Sequence, residues 1–245
     1  MSTQHPFAAP ELGKVPCSGC RLRALCLPAN LSNWELAQLD ALVNAQRPVA
    51  RGQSLFRAGD RFDSLYAVRT GFFKTCATAE DGREQVTGFQ MPGDLLGLAA
   101  LDAGRHAVDA VALEDAQVCV IPFDSLEAPS PGAHVLQRQL LKAMSRLIVR
   151  DHGVMLLLGS MRAGQRLAAF LLNLAQRLQA LGYSGSALVL RMTREEIGSY
   201  LGMKEETVSR TFTGLQEQGL LEVRQRELRI LDVAGLQRRA SGDVG

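Results

Sequence analysis

The sequence predicts an α+β protein with three parts in chain order: an antiparallel β-roll of the jelly-roll type, a long dimerisation helix and a winged helix-turn-helix domain. Short apolar runs separated by glycine-containing turns between residues 47 and 124 indicate the roll. A heptad pattern between residues 132 and 160 indicates a helix that pairs with a second copy. Two short helical patterns joined at Gly202 and followed by two strand-like runs indicate the last domain.

Composition places few limits on function. The chain has 245 residues, 47% of them hydrophobic, which suffices for ordinary globular cores. Its 27 basic and 25 acidic side chains leave a net charge of +2, so overall charge predicts neither a nucleic-acid nor a membrane partner. No stretch reaches the ~18 consecutive apolar residues of a membrane span, and residues 1–16 lack a secretory signal pattern. We therefore expect a cytoplasmic protein with no membrane partner.

Three cysteines lie close together in the N-terminal leader, which we assign to residues 1–30. Cys17, Cys20 and Cys26 stand in a stretch with four prolines and no apolar periodicity, so we expect a loop that needs another component to order it. Five cysteines in a cytosolic chain do not make a disulfide framework. The leader is therefore interpreted as a metal or redox site, and the spacing alone leaves zinc and iron–sulfur centres open.

The β-roll domain is assigned to residues 31–131. Ser32 and Glu35 form a capping-box pattern at the start of a helix that precedes the strands. Asp81-Gly82 predicts a type I′ hairpin turn, in which both central residues have positive φ. The predicted strand-like runs are 54–57, 64–69, 72–78, 85–89, 107–113 and 117–122.

The predicted dimerisation helix covers residues 132–160. Its seam follows alternating steps of three and four residues, as in a dimeric coiled coil. The seam residues are Leu141, Met144, Ile148, Asp151, Met155 and Leu158. Asp151 interrupts the apolar pattern, and two symmetry-related carboxylates ~4 Å apart at an effective dielectric constant of 20 repel by roughly 4 kcal/mol, which makes the dimer marginal. A solvent-facing Asp151, or a register shifted by one residue, is the alternative.

Residues 161–238 are assigned to the winged helix-turn-helix domain and residues 239–245 to a tail. A helix at about 163–181 is followed by Thr193 and Glu196, whose spacing forms a capping box at the start of a short second helix. That helix stops at the glycine turn described above. The elements predicted after the turn are a helix at 205–218 and wing strands at 220–223 and 227–231.

The N-terminal part of the helix at 205–218 is expected to enter the major groove of DNA. Glu206 and Arg210 are four residues apart and share one helix face. Arginine can donate a fork to guanine and glutamate can accept from cytosine N4, each good pair giving roughly 1–3 kcal/mol of discrimination. An ion pair between the two side chains would contribute only ~0.3–0.5 kcal/mol. The predicted DNA-binding residues are Lys204, Glu206, Thr207, Ser209 and Arg210.

Together these parts resemble the Crp/Fnr regulators, specifically the oxygen-responsive FNR type. The resemblance covers about residues 17–238 and includes the segments Asp81-Gly-Arg-Glu-Gln-Val-Thr-Gly-Phe89, Pro92-Gly-Asp-Leu-Leu-Gly97, Arg166-Leu-Ala-Ala-Phe170 and Met192-Thr-Arg-Glu-Glu-Ile-Gly198. Val118-Cys119-Val120-Ile121-Pro122-Phe123 is similar to the context in which the family carries its fourth cluster ligand. The resemblance therefore implies a [4Fe-4S] cluster on Cys17, Cys20, Cys26 and Cys119.

The same resemblance implies an oxygen-sensing transcription regulator of anaerobic-metabolism genes. Such a protein forms a homodimer when its cluster is intact, binds inverted repeats of TTGAT in double-stranded DNA, and contacts RNA polymerase through surface loops that include Asp81-Gly82. Cyclic AMP is not expected as a ligand, because residues 95–108 contain Arg105-His106 and lack the glutamate that cyclic-AMP-sensing relatives carry there.

Other interpretations stay open beside this one. A regulator of the same fold could hold zinc on its cysteines or use them as a thiol redox switch, and a protein of another class could bind a small ligand in the roll. Catalysis is not expected, because only His106 of four scattered histidines falls in the roll and no serine or cysteine motif for hydrolysis is present. Cys76, which has no cysteine neighbour in sequence, is interpreted as a buried structural thiol.

Overall fold

The structure is a computed structural model and describes residues 16–26, 31–43, 45–127 and 130–242. The rest of the predicted leader, residues 1–15 and 27–30, and residues 243–245 of the predicted tail lie outside the described residues. The chain divides into two compact units. The first comprises residues 1–78 and 87–146, and the second comprises residues 79–86 and 147–245.

The predicted helices and strands occur in the predicted order, with additional short elements among them. The helices are α1 (Arg23–Cys26), α2 (Asn33–Leu42), α3 (Asp124–Glu127), α4 (Pro131–Ser160), α5 (Ala163–Ala180), α6 (Arg194–Leu201), α7 (Glu205–Glu217) and α8 (Val233–Ser241). The strands are β1 (Ala45–Val49), β2 (Ser54–Phe56), β3 (Ser64–Thr70), β4 (Phe73–Thr78), β5 (Glu84–Gln90), β6 (Leu95–Leu96), β7 (Asp109–Ala112), β8 (Ala116–Pro122), β9 (Ala187–Val189), β10 (Leu221–Arg224) and β11 (Glu227–Ile230). Among the described residues, no helix has both the length and the apolar character needed to cross a membrane.

The first eight strands form two four-stranded sheets with the orders β1-β8-β3-β6 and β2-β7-β4-β5. This confirms the predicted α+β class with a β-roll. All six predicted strand-like runs are strands, with bounds that shift by one or two residues. The two edge strands of the first sheet, β1 and β6, were not predicted. Pro48 lies in β1, and proline within an apolar run argues against a strand except at such an edge.

The hairpin at Asp81-Gly82 exists, but the predicted type I′ turn is wrong. Gly82 has φ +81°, whereas Asp81 is not among the residues with positive φ. The Gly82 N–H donates to the Ala79 carbonyl over 2.9 Å, and the Ala79 N–H donates to the Arg83 carbonyl over 2.9 Å. This is a type I turn followed by a left-handed glycine in a bulge, so only one residue needs positive φ.

The first sheet carries a core on each of its faces because alternate residues of a strand point to opposite sides. Val68 of β3 and Val118 of β8 pack between the two sheets with Phe73. Leu65 and Ile121, on the outer face of the same strands, pack against helices. The helical partners in that outer core are Leu36 and Leu39 of α2, Leu126 of α3 and Leu136 of α4, with Cys17 and Cys26 packed against it.

The described part of the leader is more ordered than a loop, which corrects the sequence prediction for residues 16–26. Cys17–Gly19 form a 3-10 turn and α1 follows it. The backbone N–H of Cys17 donates to Asp40 Oδ1, and Ser18 Oγ donates to Asp40 Oδ2 over 3.0 Å. Asp40 lies on α2, so a side chain of the neighbouring helix supplies the acceptor that organises this turn.

The second unit contains the predicted helix-turn-helix and wing. Thr193 Oγ1 accepts from the Glu196 N–H over 3.1 Å at the start of α6, and Gly202 ends this helix with φ +61°. Strands β10 and β11 pair as the predicted wing and β9 joins them in a three-stranded sheet of order β10-β11-β9. Helix α8 was not predicted and extends into the tail assigned from 239; its cap is Asp232, which accepts from the Gly235 N–H over 2.8 Å.

Candidate metal centre and candidate DNA interface

Four of the five cysteines line one cavity of about 80 Å³, which we call the cysteine cavity. Cys17 and Cys20 flank the leader turn, and Cys26 is the last residue of α1. Cys119 lies in β8, directly opposite Ala67 of β3. The tertiary fold therefore brings the three leader cysteines to the distant strand that the sequence resemblance implicated.

The cysteine cavity has mostly apolar walls and a small set of polar side chains. Apolar residues of the outer core, such as Leu65 and Ile121, form its floor. The polar side chains other than the cysteines are Arg23 of α1, Arg69 of β3, and Gln139 and Arg146 of α4. Pattern reasoning missed these four residues, because only the packing of strand, leader and helix brings them to one place.

Burial is the main influence on the Cys17 thiol. Burial, followed by the negative charges of Asp40, Cys119 and Cys20, raises the pKa of Cys17 to about 12. The effect of Cys119 and Cys20 on the pKa of Cys17 reflects the proximity of these side chains in the cavity. The Cys17 thiol therefore stays protonated at neutral pH unless a cation stabilises its thiolate.

The same pattern holds for Cys26 and Cys119. Burial, followed by the charges of the other three cysteines, raises the pKa of Cys26 to about 12, while Arg146 acts in the opposite direction. Burial also raises the pKa of Cys119, and the Arg69 guanidinium lowers it. Two arginines thus place positive charge beside sulfurs that would be negative in a metal-bound state.

The donor set fits a thiolate-ligated centre. Four soft sulfur ligands suit an iron–sulfur cluster or zinc, and the arginines offset the negative charge that such a centre acquires. Among the described residues, no group of three or more His, Cys, Asp or Glu side chains is arranged as a ready coordination sphere. The cysteines share a cavity, and binding would have to draw their sulfurs together.

Cys76 is separate from this site. It lies in β4, is 5% exposed and does not line the cysteine cavity. Its burial agrees with the prediction of a structural thiol.

Helix α7 presents the predicted DNA-binding residues along its N-terminal part. Lys204 is the N-cap residue, and Glu206, Ser209 and Arg210 are exposed while Thr207 is half-buried. Arg210 Nη1 lies 3.5 Å from Glu206 Oε1, and their side chains are 71% and 74% exposed. The opposite face of α7 buries Val208, Phe212 and Leu215.

Other residues shape this helix pair. A Cβ on Gly198 of α6 would lie 2.6 Å from the Met203 carbonyl oxygen, so only glycine allows the turn to approach α6 this closely. Arg194 stacks over the ring of Phe212 at 3.4 Å. Apart from the presence of a glycine at 198, the sequence gives no signal for the close approach at Gly198 or for the stacking of Arg194, because both depend on how α6 packs on α7.

A second cavity, of about 430 Å³, lies beside α7 and is rich in arginine. Thr207 and Arg210 of α7 line it together with Arg162, the N-cap residue of α5, and Arg239 of α8. Sequence analysis assigned no role to Arg162 or Arg239. The positive charge next to the predicted recognition residues is therefore larger than the predicted set indicates.

The six seam residues of α4 are not buried in the chain. Leu141, Ile148 and Met155 are 67%, 52% and 61% exposed, which is unusual for large apolar side chains. Asp151 is exposed as well, and Met144 and Leu158 are half-buried. The seam is thus available for contact with a second copy.

Two family models match the two halves of this architecture. Residues 46–128 match the cyclic nucleotide-binding domain, and residues 165–239 match the Crp-like helix-turn-helix domain. The transcriptional activator protein FnrA of Stutzerimonas stutzeri is 46% identical over 226 residues, which cover 92% of this chain and 93% of FnrA. The chain belongs to the Crp/Fnr family and is of the FNR type.

Further comparisons agree with this membership in the FNR type. The anaerobic regulatory protein of Pasteurella multocida is 43% identical over 222 residues, covering 91% of this chain and 81% of that protein. The solved structure of FixK2 from Bradyrhizobium japonicum has a TM-score of 0.71 at 28% identity and covers 79% of this chain and 96% of FixK2. This FNR-type chain is therefore a DNA-binding transcription regulator and not an enzyme.

Proposed function

We propose that this regulator is an oxygen-responsive activator that works as a homodimer on anaerobic-metabolism genes. In this proposal, Cys17, Cys20, Cys26 and Cys119 hold a [4Fe-4S] cluster. The observation that carries it is the cysteine cavity, where three leader cysteines meet one from β8. The name of the Pasteurella multocida relative supports the anaerobic role.

When bound, the cluster supplies a centre whose stability depends on oxygen. The chain's own residues supply four thiolates, the two arginines that offset their charge, and the apolar walls that limit water. Without the four sulfur bonds, the described part of the leader would be held by the Asp40 hydrogen bonds and by the packing of Cys17 and Cys26 against the outer core. The state of the centre thereby governs the order of the leader.

Helix α4 is the proposed connection between this centre and dimerisation. Leu136, Leu140 and Ala143 of α4 line the cysteine cavity. At 100° per residue, their stripe lies about a third of a turn from the seam that contains Leu141 and Ile148. Binding or loss of the centre at the cavity therefore acts on helix turns that a second copy would also contact. Repulsion between the two Asp151 carboxylates keeps the dimer weak enough to respond to that change.

DNA recognition is assigned to α7. The resemblance to FNR proteins implies TTGAT half-sites in an inverted repeat, about one helical turn apart, which matches a two-fold dimer. Glu206 and Arg210 would read the G·C pair and Ser209 the neighbouring thymine side, while Lys204 and Thr207 approach the backbone. The arginine-rich cavity beside α7 adds positive charge suited to phosphates.

Other partners follow from the same proposal. The loop at Asp81-Gly82 is exposed and is assigned a contact with RNA polymerase, and the protein is assigned to the cytoplasm. Cyclic AMP is not assigned as a ligand, although the roll matches the cyclic nucleotide-binding domain. His106 is 4% exposed and stacks on Phe56 at 3.7 Å, and Arg105 Nη1 donates to the Gly59 carbonyl over 2.8 Å.

A thiol redox switch fits these residues less well than a metal centre. Reactive cysteines have lowered pKa values, whereas burial raises the pKa of Cys17, Cys26 and Cys119. Zinc remains chemically compatible with four thiolates.

Anaerobic purification followed by iron, acid-labile sulfide and zinc analysis tests the proposal. The expected result is about four iron and four sulfide per chain, with a visible absorption spectrum that is lost in air. A colourless protein that contains zinc, or no metal, would contradict it.

A further inference from the structure

Helix α4 contributes two polar side chains to the cysteine cavity, Gln139 and Arg146. Gln139 is half-buried as a residue, but its Nε2 atom is fully buried and has no hydrogen-bond partner among the described residues. It differs from Arg146, whose charge acts on Cys26 without a direct hydrogen bond. Gln139 thus brings a buried donor without a described partner to the wall of the cavity.

A buried amide N–H without an acceptor is unfavourable and uncommon in folded proteins. The Leu126 carbonyl does not supply an acceptor for Gln139. The carbonyl of Leu126, which lines the same cavity, already accepts from Nε2 of Gln137. The cavity also offers the four cysteine sulfurs as acceptors, and a neutral thiol is a weak acceptor.

Sulfur becomes a strong acceptor when it is negatively charged, as a thiolate or sulfide bound to a metal is. Hydrogen bonds to the sulfurs of a metal centre are one of the protein's means of setting its potential and stability. An amide donor stabilises the more electron-rich state of the sulfurs, and therefore opposes oxidation of the centre. The same contact would link the centre to α4, the helix that carries the dimer seam.

We propose that Gln139 is a positioning residue of the cysteine centre, with its Nε2–H donating to a metal-bound sulfur once the centre has formed. This inference rests on the proposed function and adds a residue that slows loss of the centre in air. The hydrogen bond exists only in the loaded protein, so Gln139 contributes to the loaded state and disfavours the apo state.

The test compares Gln139→Leu with Gln137→Leu in the anaerobically loaded full chain. Both variants replace an amide by an apolar group of similar size on the same helix, but Gln137 is exposed and its amide bonds the Leu126 carbonyl instead. The readout is the half-time of the visible absorbance at a fixed oxygen concentration. We expect Gln139→Leu to shorten it by at least about tenfold, the lower limit for the loss of one net hydrogen bond to a charged group. Gln137→Leu should stay within about twofold, because the Gln137 side chain does not line the cavity and cannot bond the sulfurs.

Thermal unfolding of the apo forms separates positioning from simple packing. Removal of an unused buried donor should leave the apo midpoint of Gln139→Leu unchanged or higher, whereas removal of a packing residue would lower it.

Gln139→Glu provides a second variant, in which a carboxylate acceptor faces the sulfurs. The half-time of the loaded Gln139→Glu protein should fall at least as far as that of Gln139→Leu. A native half-time in either Gln139 variant, or a lower apo midpoint in Gln139→Leu, would overturn the inference. A native protein without iron and sulfide would overturn the proposed function and this inference together, whereas a fully loaded native protein with indifferent Gln139 variants would overturn only the latter.

Discussion

Cys119 and Cys76 both lie in roll strands, yet their surroundings assign them different roles. Cys119 faces the outer side of the first sheet, where the leader and α4 complete a cavity around it. Cys76 is buried in β4, away from that cavity. The two residues therefore form a natural pair for testing which thiols hold the centre.

We predict that Cys119→Ser removes most of the bound iron, whereas Cys76→Ser retains it. Loss of a residue that only supports a metal ligand typically lowers metal affinity by roughly 10–100-fold. Loss of a ligand itself should lower the affinity for iron by at least as much. The measurement is iron and sulfide per chain after identical anaerobic preparation. Equal iron content in Cys119→Ser and the native protein would remove Cys119 from the ligand set.

Arg210 is the residue whose substitution best tests DNA reading. Its ion pair with Glu206 is highly exposed, so Arg210→Ala should leave folding stability nearly unchanged. We predict that it lowers discrimination at the G·C pair of the half-site by roughly 1–3 kcal/mol. Competition binding with a panel of half-site variants measures this preference. Lys204→Ala serves as the control, because loss of a backbone contact should weaken binding to all variants alike.

Among the helices and strands, features set by residues within one turn were predictable from the sequence, whereas features set by long-range packing were not. The capping boxes at Ser32 and Thr193 and the glycine stop at Gly202 were predictable, because each depends on residues within one turn. The short edge strands lacked such signals. Helix α8 carries a local cap at Asp232 and a glycine stop at Gly242, which the sequence prediction overlooked. The polar residues of the cysteine cavity were unpredictable for another reason: Arg69 and Gln139 come from a strand and a helix that meet only in the folded unit.

The turn between α6 and α7 depends on close backbone approach at Gly198. We predict that Gly198→Ala lowers the free energy of unfolding by about 1–3 kcal/mol, because its Cβ would clash with the Met203 carbonyl oxygen. Gly214→Ala in α7 is the matched control, since its Cβ would meet no atom within 4 Å. That change should instead stabilise the helix by about 0.5–1 kcal/mol. Denaturant unfolding of both variants measures the difference, and equal stability would contradict this role for Gly198.

Asp151 is the feature of α4 that we expect to keep the dimer marginal. Asp151→Ala should yield more dimer in air, by up to ~4 kcal/mol in the free energy of association as an upper estimate. His152→Ala provides the control, because His152 is an exposed neighbour that does not belong to the seam. Light scattering across a range of protein concentrations measures the molar mass. An unshifted mass for Asp151→Ala would mean that its carboxylate does not face the partner.

For the whole molecule, α4 is the element that would join the proposed functions of the cysteine cavity, the dimer seam and the helix-turn-helix domain. Its first part lines the cysteine cavity in one compact unit, and residues from 147 onward belong to the other unit with the DNA-reading helices. A single helix therefore carries the cavity stripe, the seam and the connection to the helix-turn-helix domain. In the proposed function, loading of the cysteine centre controls the dimer, and through it DNA binding.

The most direct test measures molar mass and operator affinity on one sample before and after air exposure. The duplex is an inverted repeat of TTGAT, and the visible absorbance reports the centre in parallel. We expect a dimer that binds tightly while the absorbance persists. Once the absorbance is lost, we expect a monomer whose affinity for the duplex has fallen by roughly 1,000-fold or more, toward non-specific binding. Unchanged mass and affinity after complete loss of the absorbance would rule out control of the dimer by the cysteine centre.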